Sequence, residues 1–157
     1  MAYFVDLSEY SYSHRHWRVG TFNVGWLDHA HSFESGETPD DIVGLLWKIC
    51  KSSIAQARGS YSCNHPGCIA SRKDSGPMEV AWSGTVLRLG SAEIRVFGND
   101  GSIYAAPNLI FHYVTAHQYK LPARFIEALR SGPDPESPEY ERRLVELCLK
   151  RTRTLGI

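Results

Sequence analysis

The chain has 157 residues, enough to bury one good core, and this length predicts one domain. Its 17 lysines and arginines balance 17 aspartates and glutamates, and 43% of it is hydrophobic, an ordinary globular composition whose neutrality argues against broad phosphate-backbone binding. No apolar run approaches a membrane span, and Met-Ala-Tyr-Phe-Val-Asp at the start lacks the charged and then hydrophobic segments of a secretion signal, so a cytoplasmic protein is expected.

The first segment is aromatic and polar, with Tyr3, Phe4, Tyr10, Tyr12 and Trp17 among turn-forming residues. Arg18 to Leu27 then reads as extended, since Val19, Phe22, Val24 and Trp26 suit one strand or two short ones. Thr38-Pro39-Asp40-Asp41 is a strong helix start: Thr38 can cap, Pro39 fits the first turn and the acids face the positive end of the dipole. Ile42, Leu45, Leu46, Ile49 and Cys50 recur at helical spacing and predict one buried face, continuing to about residue 56.

After a polar loop around Ser71 to Pro77, four short segments predict a small antiparallel sheet. These are Glu79 to Trp82, Thr85 to Leu89, Ala92 to Phe97 and Ser102 to Tyr104, with Gly84, Gly90-Ser91 and Asn99-Asp100-Gly101 at the turns. Ile94, Val96 and Ile103 alternate with polar neighbours, which predicts one covered face. Pro107 then opens a helix with Leu109, Ile110, Tyr113 and Val114 inward, and a second helix runs from Pro122 to Ser131, stopping at Gly132. The expected organisation is one domain over 1–131, a Pro-rich linker over 132–138 and an amphipathic C-terminal helix over 139–157, with Tyr140, Leu144, Leu147, Cys148 and Arg151 on one face.

The residues that carry chemistry are cysteines and histidines. Cys63 and Cys68 flank Asn-His-Pro-Gly, a turn-forming tetrapeptide that can direct both sulfurs to one point, and His112 and His117 stand five apart on the predicted helix. Two thiolates and two imidazoles suit a tetrahedral, borderline-soft cation and leave no position open, so Cys63, Cys68, His112 and His117 are read as the ligands of a structural Zn2+. Five residues amount to about 140° around an ideal helix, so the last turn must adjust for both rings to reach one ion. The gap between the pairs exceeds that of a finger, and a hairpin inserted between them can fill it. The metal would then pin the sheet to a helix in an α+β fold. His65 can replace either histidine as a ligand, although Pro66 and Gly67 beside it favour a turn residue with its ring in solvent. Without a secretion signal the cysteines are expected reduced, and Cys50 and Cys148 read as small core residues.

His14, His16, His29 and His31 form two His-x-His pairs that, with Asp28 and Glu34, suggest a second metal centre if they lie on strands, and an exposed loop if they do not. A nucleophile and base pair of Cys63 with His65 or His112 is formally available, yet two cysteines beside a histidine pair are better explained as ligands. Phosphate-binding glycine loops, a Gly-x-Ser-x-Gly elbow and a His-Glu-x-x-His helix are missing from the sequence.

Asn23-Val24-Gly25-Trp26-Leu27-Asp28, Gly90-Ser91-Ala92-Glu93-Ile94-Arg95-Val96, Tyr104-Ala105-Ala106-Pro107-Asn108-Leu109-Ile110 with His112-Tyr113-Val114 and His117, and Phe125-Ile126-Glu127-Ala128 resemble a bacterial family of small Cys/His, zinc-binding domains of unknown function. The resemblance covers about residues 1 to 131. That family commonly has Cys-x2-Cys where this chain has Cys-x4-Cys. The resemblance implies a cytoplasmic bacterial protein with a Cys/His site and brings no activity with it.

These readings favour a non-enzymatic, zinc-stabilised protein-interaction protein, such as an immunity protein that neutralises a toxin or an adaptor between two proteins. One alternative is a zinc-dependent hydrolase or deaminase with His65 or water as an exchangeable ligand. Another is a nucleic-acid-binding, zinc-finger-like protein, suggested by the ligand types and by Arg142, Arg143, Lys150, Arg151 and Arg153. For a protein partner, Tyr10, Tyr12, Trp17 and Arg18 or the C-terminal helix supply the residue types that anchor interfaces, unless the N-terminal segment wraps the sheet instead.

Overall fold

Glu93–Phe97 and Ile103–Pro107 are joined by a tight turn in which Gly98 N–H donates to the Ser102 carbonyl and Ser102 N–H to the Asp100 carboxylate, and they pair antiparallel from Glu93↔Pro107 to Phe97↔Ile103. In the computed structural model, which describes residues 3–13, 18–55, 61–71 and 78–149, this hairpin is the centre of an α+β fold. The elements are β1 (Thr21–Asn23), α1 (Asp40–Cys50), α2 (Pro66–Ser71), β2 (Met78–Trp82), β3 (Thr85–Leu89), β4 (Glu93–Phe97), β5 (Ile103–Pro107), α3 (Ile110–His117), α4 (Ala123–Ser131) and α5 (Pro138–Glu146).

The expected single four-stranded sheet is two sheets. One has the order β1-β5-β4, with β1 parallel to β5, and the other is the β2-β3 hairpin. Gly90 separates them. Its φ of +114° turns the chain out of the β3 ladder, its N–H donates to Asn108 Oδ1 and its carbonyl accepts from Tyr61 N–H, which places the Tyr61 carbonyl where a β-carbon would sit. The extended run predicted from Arg18 shrinks to three residues. Gly25 ends it at φ +74°, where a side chain would collide with Ile110 and where its N–H is taken by Asp6.

α1 turns Ile42, Leu46, Trp47, Ile49 and Cys50 into the core. Its cap position is Pro39, without a side-chain cap bond from Thr38, and the helix stops at Cys50 because Ile54 leaves to pair with Glu93. Pro107 closes β5 rather than opening α3. α4 follows its predicted span closely, with Phe125, Ala128 and Leu129 buried. α1 and α4 both pack on β4.

Both faces of β4 are covered, against the expectation of one. Ile94 and Val96 belong to the main core. On the other face Glu93 and Arg95 are 6% and 1% exposed, and the N-terminal segment lies over them. Tyr10 is fully buried there, donates to Glu93 Oε1 at 2.9 Å and carries the Arg95 guanidinium 4.8 Å above its ring; Phe4 and Trp26 complete the cover. Tyr10 is therefore part of a wrapped arm and not an exposed anchor.

α5 also docks. Its Ser137 cap accepts from Tyr140 N–H, Tyr140 and Leu144 are buried, and the Tyr140 hydroxyl donates to the Arg95 carbonyl at 2.7 Å. With the bridge from Ile54 to Glu93, this occupies backbone groups that an edge strand otherwise offers to another chain. Cys148, expected in the core, is exposed because the helix ends at Glu146 and Cys148 turns at φ +58°. Trp17, Lys150, Arg151 and Arg153 lie outside the described residues. No helix among the described residues is long and apolar enough to cross a membrane.

Candidate metal centre

The loop that carries the cysteines is anchored at Tyr61, whose N–H donates to the Gly90 carbonyl at 2.6 Å. Two residues later Cys63 is buried at 1% exposure. Pro66 opens α2, and the Cys68 N–H reaches back to the His65 carbonyl at 2.9 Å, a turn that brings the second sulfur round toward the first. Four residues between the cysteines thus supply one tight turn and the start of a helix.

α3 supplies the imidazoles. His112 is buried within the helix, and His117 is its last residue, followed by Gln118 in the left-handed conformation at φ +54°. The two rings stand almost perpendicular, 86° apart with centroids 4.9 Å apart, so side-chain rotation at the helix end makes up the angular offset of their spacing. The His117 Nε2 lies 3.0 Å from Cys68 Sγ and 3.3 Å from Cys63 Sγ, and the His112 Nε2 lies 3.4 Å from Cys68 Sγ. All four ligand atoms fall within 4.8 Å of one another, which positions Cys63, Cys68, His112 and His117 to hold a metal ion. Among the described residues no other group of His, Cys, Asp or Glu converges in this way. Burial, with a smaller contribution from the neighbouring His65, lowers the His117 pKa below the ordinary imidazole value and so favours the neutral ring a metal needs.

Asn64 ties the centre to a second loop. Its Oδ1 accepts from His29 N–H at 3.1 Å and its amide donates to Asp28 Oδ2 at 3.4 Å, while Asp28 Oδ1 accepts from Ala30 N–H at 2.7 Å. That Ala30 bond is the main reason the Asp28 carboxyl is held below its usual range. Tyr113, on α3, is pushed in the other direction, chiefly by burial and then by the charges of Cys63, Asp28 and Cys68.

His65 does not point freely into solvent. Its ring stacks on His117 at 4.1 Å and 25°, and its Nδ1 is buried with no hydrogen-bond partner. His29 is exposed near Asp28, His31 stacks on Tyr3 at 3.8 Å, and Glu34 pairs with Lys120, so these residues scatter instead of forming a second centre. None of them lies on a strand. His14 and His16 lie outside the described residues. Cys50 is buried, and burial pushes its thiol pKa up.

The model of a family described as Domain of unknown function (DUF7919) matches residues 2–130. The chain belongs to this family. No curated protein and no solved structure matches the chain significantly. All four convergent residues of this DUF7919 domain fall inside the matched span, whereas α5 lies beyond it.

Two polar features escaped the sequence reading. The Asn64 buttress has no spacing signal, since its partners lie more than thirty residues away in the chain. The Glu93–Arg95 pair has one: opposite charges two apart on a strand share a face, and a strand flanked by apolar segments can bury such a pair.

Proposed function

We propose that the centre is a structural zinc site and that the domain it stabilises is a non-enzymatic protein-recognition module, acting as a toxin-neutralising immunity protein or as an adaptor. The observation that carries the zinc reading is the convergence of two thiols and two imidazoles from one chain. Zinc with ordinary bond lengths in a tetrahedron separates sulfur from nitrogen by about 3.5 Å, and three of the sulfur–nitrogen distances, 3.0, 3.3 and 3.4 Å, come within about half an ångström of this. Four protein ligands fill a tetrahedral ion. The cleft beside them, lined by Leu27, Phe33, Cys63, His65, Tyr113 and His117 among others, has a volume of about 20 Å³, enough for a water but not for a nucleotide or peptide substrate. Both points favour scaffold over hydrolase or deaminase.

Recognition is supported by a mixed apolar and basic surface at the other end. Arg18 Nη2 donates to the Leu147 carbonyl at 3.1 Å, which brings the N-terminal segment to the end of α5. Val19 and Val145, at 79% and 62% exposure, flank this contact. Nearby, Phe97, Ile103, Arg142, Arg143, Glu146 and Leu147 line an open hollow of about 350 Å³. Apolar groups rimmed by arginine are the usual composition of a protein-binding patch.

Elemental analysis of the purified protein should give a single zinc, and Val19→Asp with Val145→Asp should abolish capture of its partner without changing the circular dichroism spectrum. Zinc-free folded protein would overturn the metal reading. Metal-dependent turnover of a nucleotide or peptide would transfer the site to the hydrolase class.

A further inference from the structure

His65 lies beside the centre without belonging to the convergent set, and three observations give it a definite role there. It sits inside the ligand turn, its backbone carbonyl holding the Cys68 N–H at 2.9 Å, so its Cα cannot move far from the cysteines. Its ring lies nearly parallel to His117 with centroids 4.1 Å apart. Its Nδ1 is out of water and makes no hydrogen bond, an arrangement that costs free energy and persists where a group has another use.

The two histidines of α3 are not equally fixed. His112 is buried in the body of the helix, whereas His117 is the final residue, only partly buried, and followed by the left-handed Gln118. Helix ends open more readily than helix interiors. When the last turn frays, His117 is the imidazole that leaves, and the ring stacked against it is the nearest replacement. The His65 ring, with its centroid 4.1 Å from that of His117, lies beside the position that His117 would vacate. A cleft of about 20 Å³ adjoins His65, His117 and Cys63, so one open space borders both rings and a sulfur.

The geometry points to His65 as an exchange ligand: the zinc of the proposed centre is held by Cys63, Cys68 and His112 throughout, with His117 and His65 alternating in the fourth position. This rests on the zinc reading above. Its consequence is retention, because the ion keeps four protein donors while α3 frays at its end.

The test uses His65→Phe, which preserves an aromatic ring against His117 and removes both nitrogens while leaving Cys63, Cys68, His112 and His117 intact. Wild-type protein and His65→Phe should each hold a single zinc, and zinc should transfer from His65→Phe to a chromogenic chelator about tenfold faster, the lower end of what loss of a supporting group does to a metal site. An unchanged transfer rate would overturn the proposal, since a purely stacking role is satisfied by the phenyl ring. A second arm loads cobalt(II). His117→Ala should keep the wild-type visible spectrum, because His65 restores a second imidazole, whereas His65→Phe combined with His117→Ala should shift it, because water then completes the set of Cys63, Cys68 and His112. Identical spectra in the single and double variants, both shifted from that of the wild type, would refute the exchange while leaving the metal site standing. Wild-type protein without zinc would refute the metal reading and the exchange together.

Discussion

Two clusters of polar side chains are withdrawn from water in this domain, and they are held in opposite ways. At the candidate metal centre, Cys63 comes from a loop, Cys68 from the short helix α2, and His112 and His117 from the body and the end of α3. Under the N-terminal arm, Tyr10, Glu93 and Arg95 are fixed by the middle of the main sheet and covered by Phe4 and Trp26. The first cluster brings four groups together in an arrangement positioned to hold a metal ion. The second already satisfies itself, except that Arg95 Nη2 has no hydrogen-bond partner. Convergent donors call for a ligand, whereas a complementary charge pair calls only for burial.

The sharpest way to break the first cluster is to remove the zinc proposed for it. Chelation, or Cys63→Ser, should produce the largest loss, beyond about 5 kcal/mol, because a site that does not exist in the unfolded chain contributes its binding free energy to folding. Thermal melts with and without chelator read this directly, and hydrogen exchange should localise the first opening to the segment from Cys63 to Ser71 and to α3. Identical melts would mean that packing alone holds that end together.

At the other cluster, Arg95→Met leaves the Glu93 carboxylate buried with Tyr10 as its remaining partner, and a loss of about 3–5 kcal/mol in urea denaturation is expected. Adding Glu93→Met should recover most of that loss, since the pair is then replaced by apolar volume. No such recovery is expected at the metal end, where a second ligand substitution cannot restore the ion. A double variant as weak as the single one would show that the charges themselves, and not their mutual compensation, stabilise the layer.

Tyr140→Phe is a smaller probe of the same sheet. It removes the hydroxyl that caps the Arg95 carbonyl at 2.7 Å and should cost about 1–2 kcal/mol, read as a shift in the denaturation midpoint with an unchanged slope.

The smallest effect belongs to Lys48, whose ammonium meets Asp134 at 2.6 Å on the surface and ties the Pro-rich segment to α1. Lys48→Ala should cost about 0.5 kcal/mol near neutral pH. The Lys48 hydrogen bond is the leading cause that holds the Asp134 carboxyl below its ordinary value of 3.8. A depressed carboxylate contributes stability above its unfolded pKa and loses it as pH falls through the folded one. The difference between wild type and Lys48→Ala should therefore be constant from neutral pH down to about 4 and vanish at lower pH.

What could be read in the sequence was what depends on neighbours along the chain. The apolar periodicity of Ile42 to Cys50, the Pro122 to Gly132 punctuation of α4, the hairpin turns at Gly84 and Asn99-Asp100-Gly101, and the pairing of Cys63 with Cys68 are all local patterns, and each is found in the fold close to where it was expected. The donor chemistry of the centre was likewise legible, because residue type alone limits which groups bind a soft cation. Tertiary structure decided the rest. The split of one expected sheet into two follows from Gly90 meeting Tyr61 and Asn108, the burial of Glu93 and Arg95 from an arm whose Tyr10 stands 83 residues before Glu93, and the stacking of His65 on His117 from the meeting of a loop with a helix end. These contacts are long-range, and a strand or a turn carries no mark of which distant surface will cover it. The sequence states which groups need partners; only the fold, by bringing distant segments into contact, determines which partner each one receives.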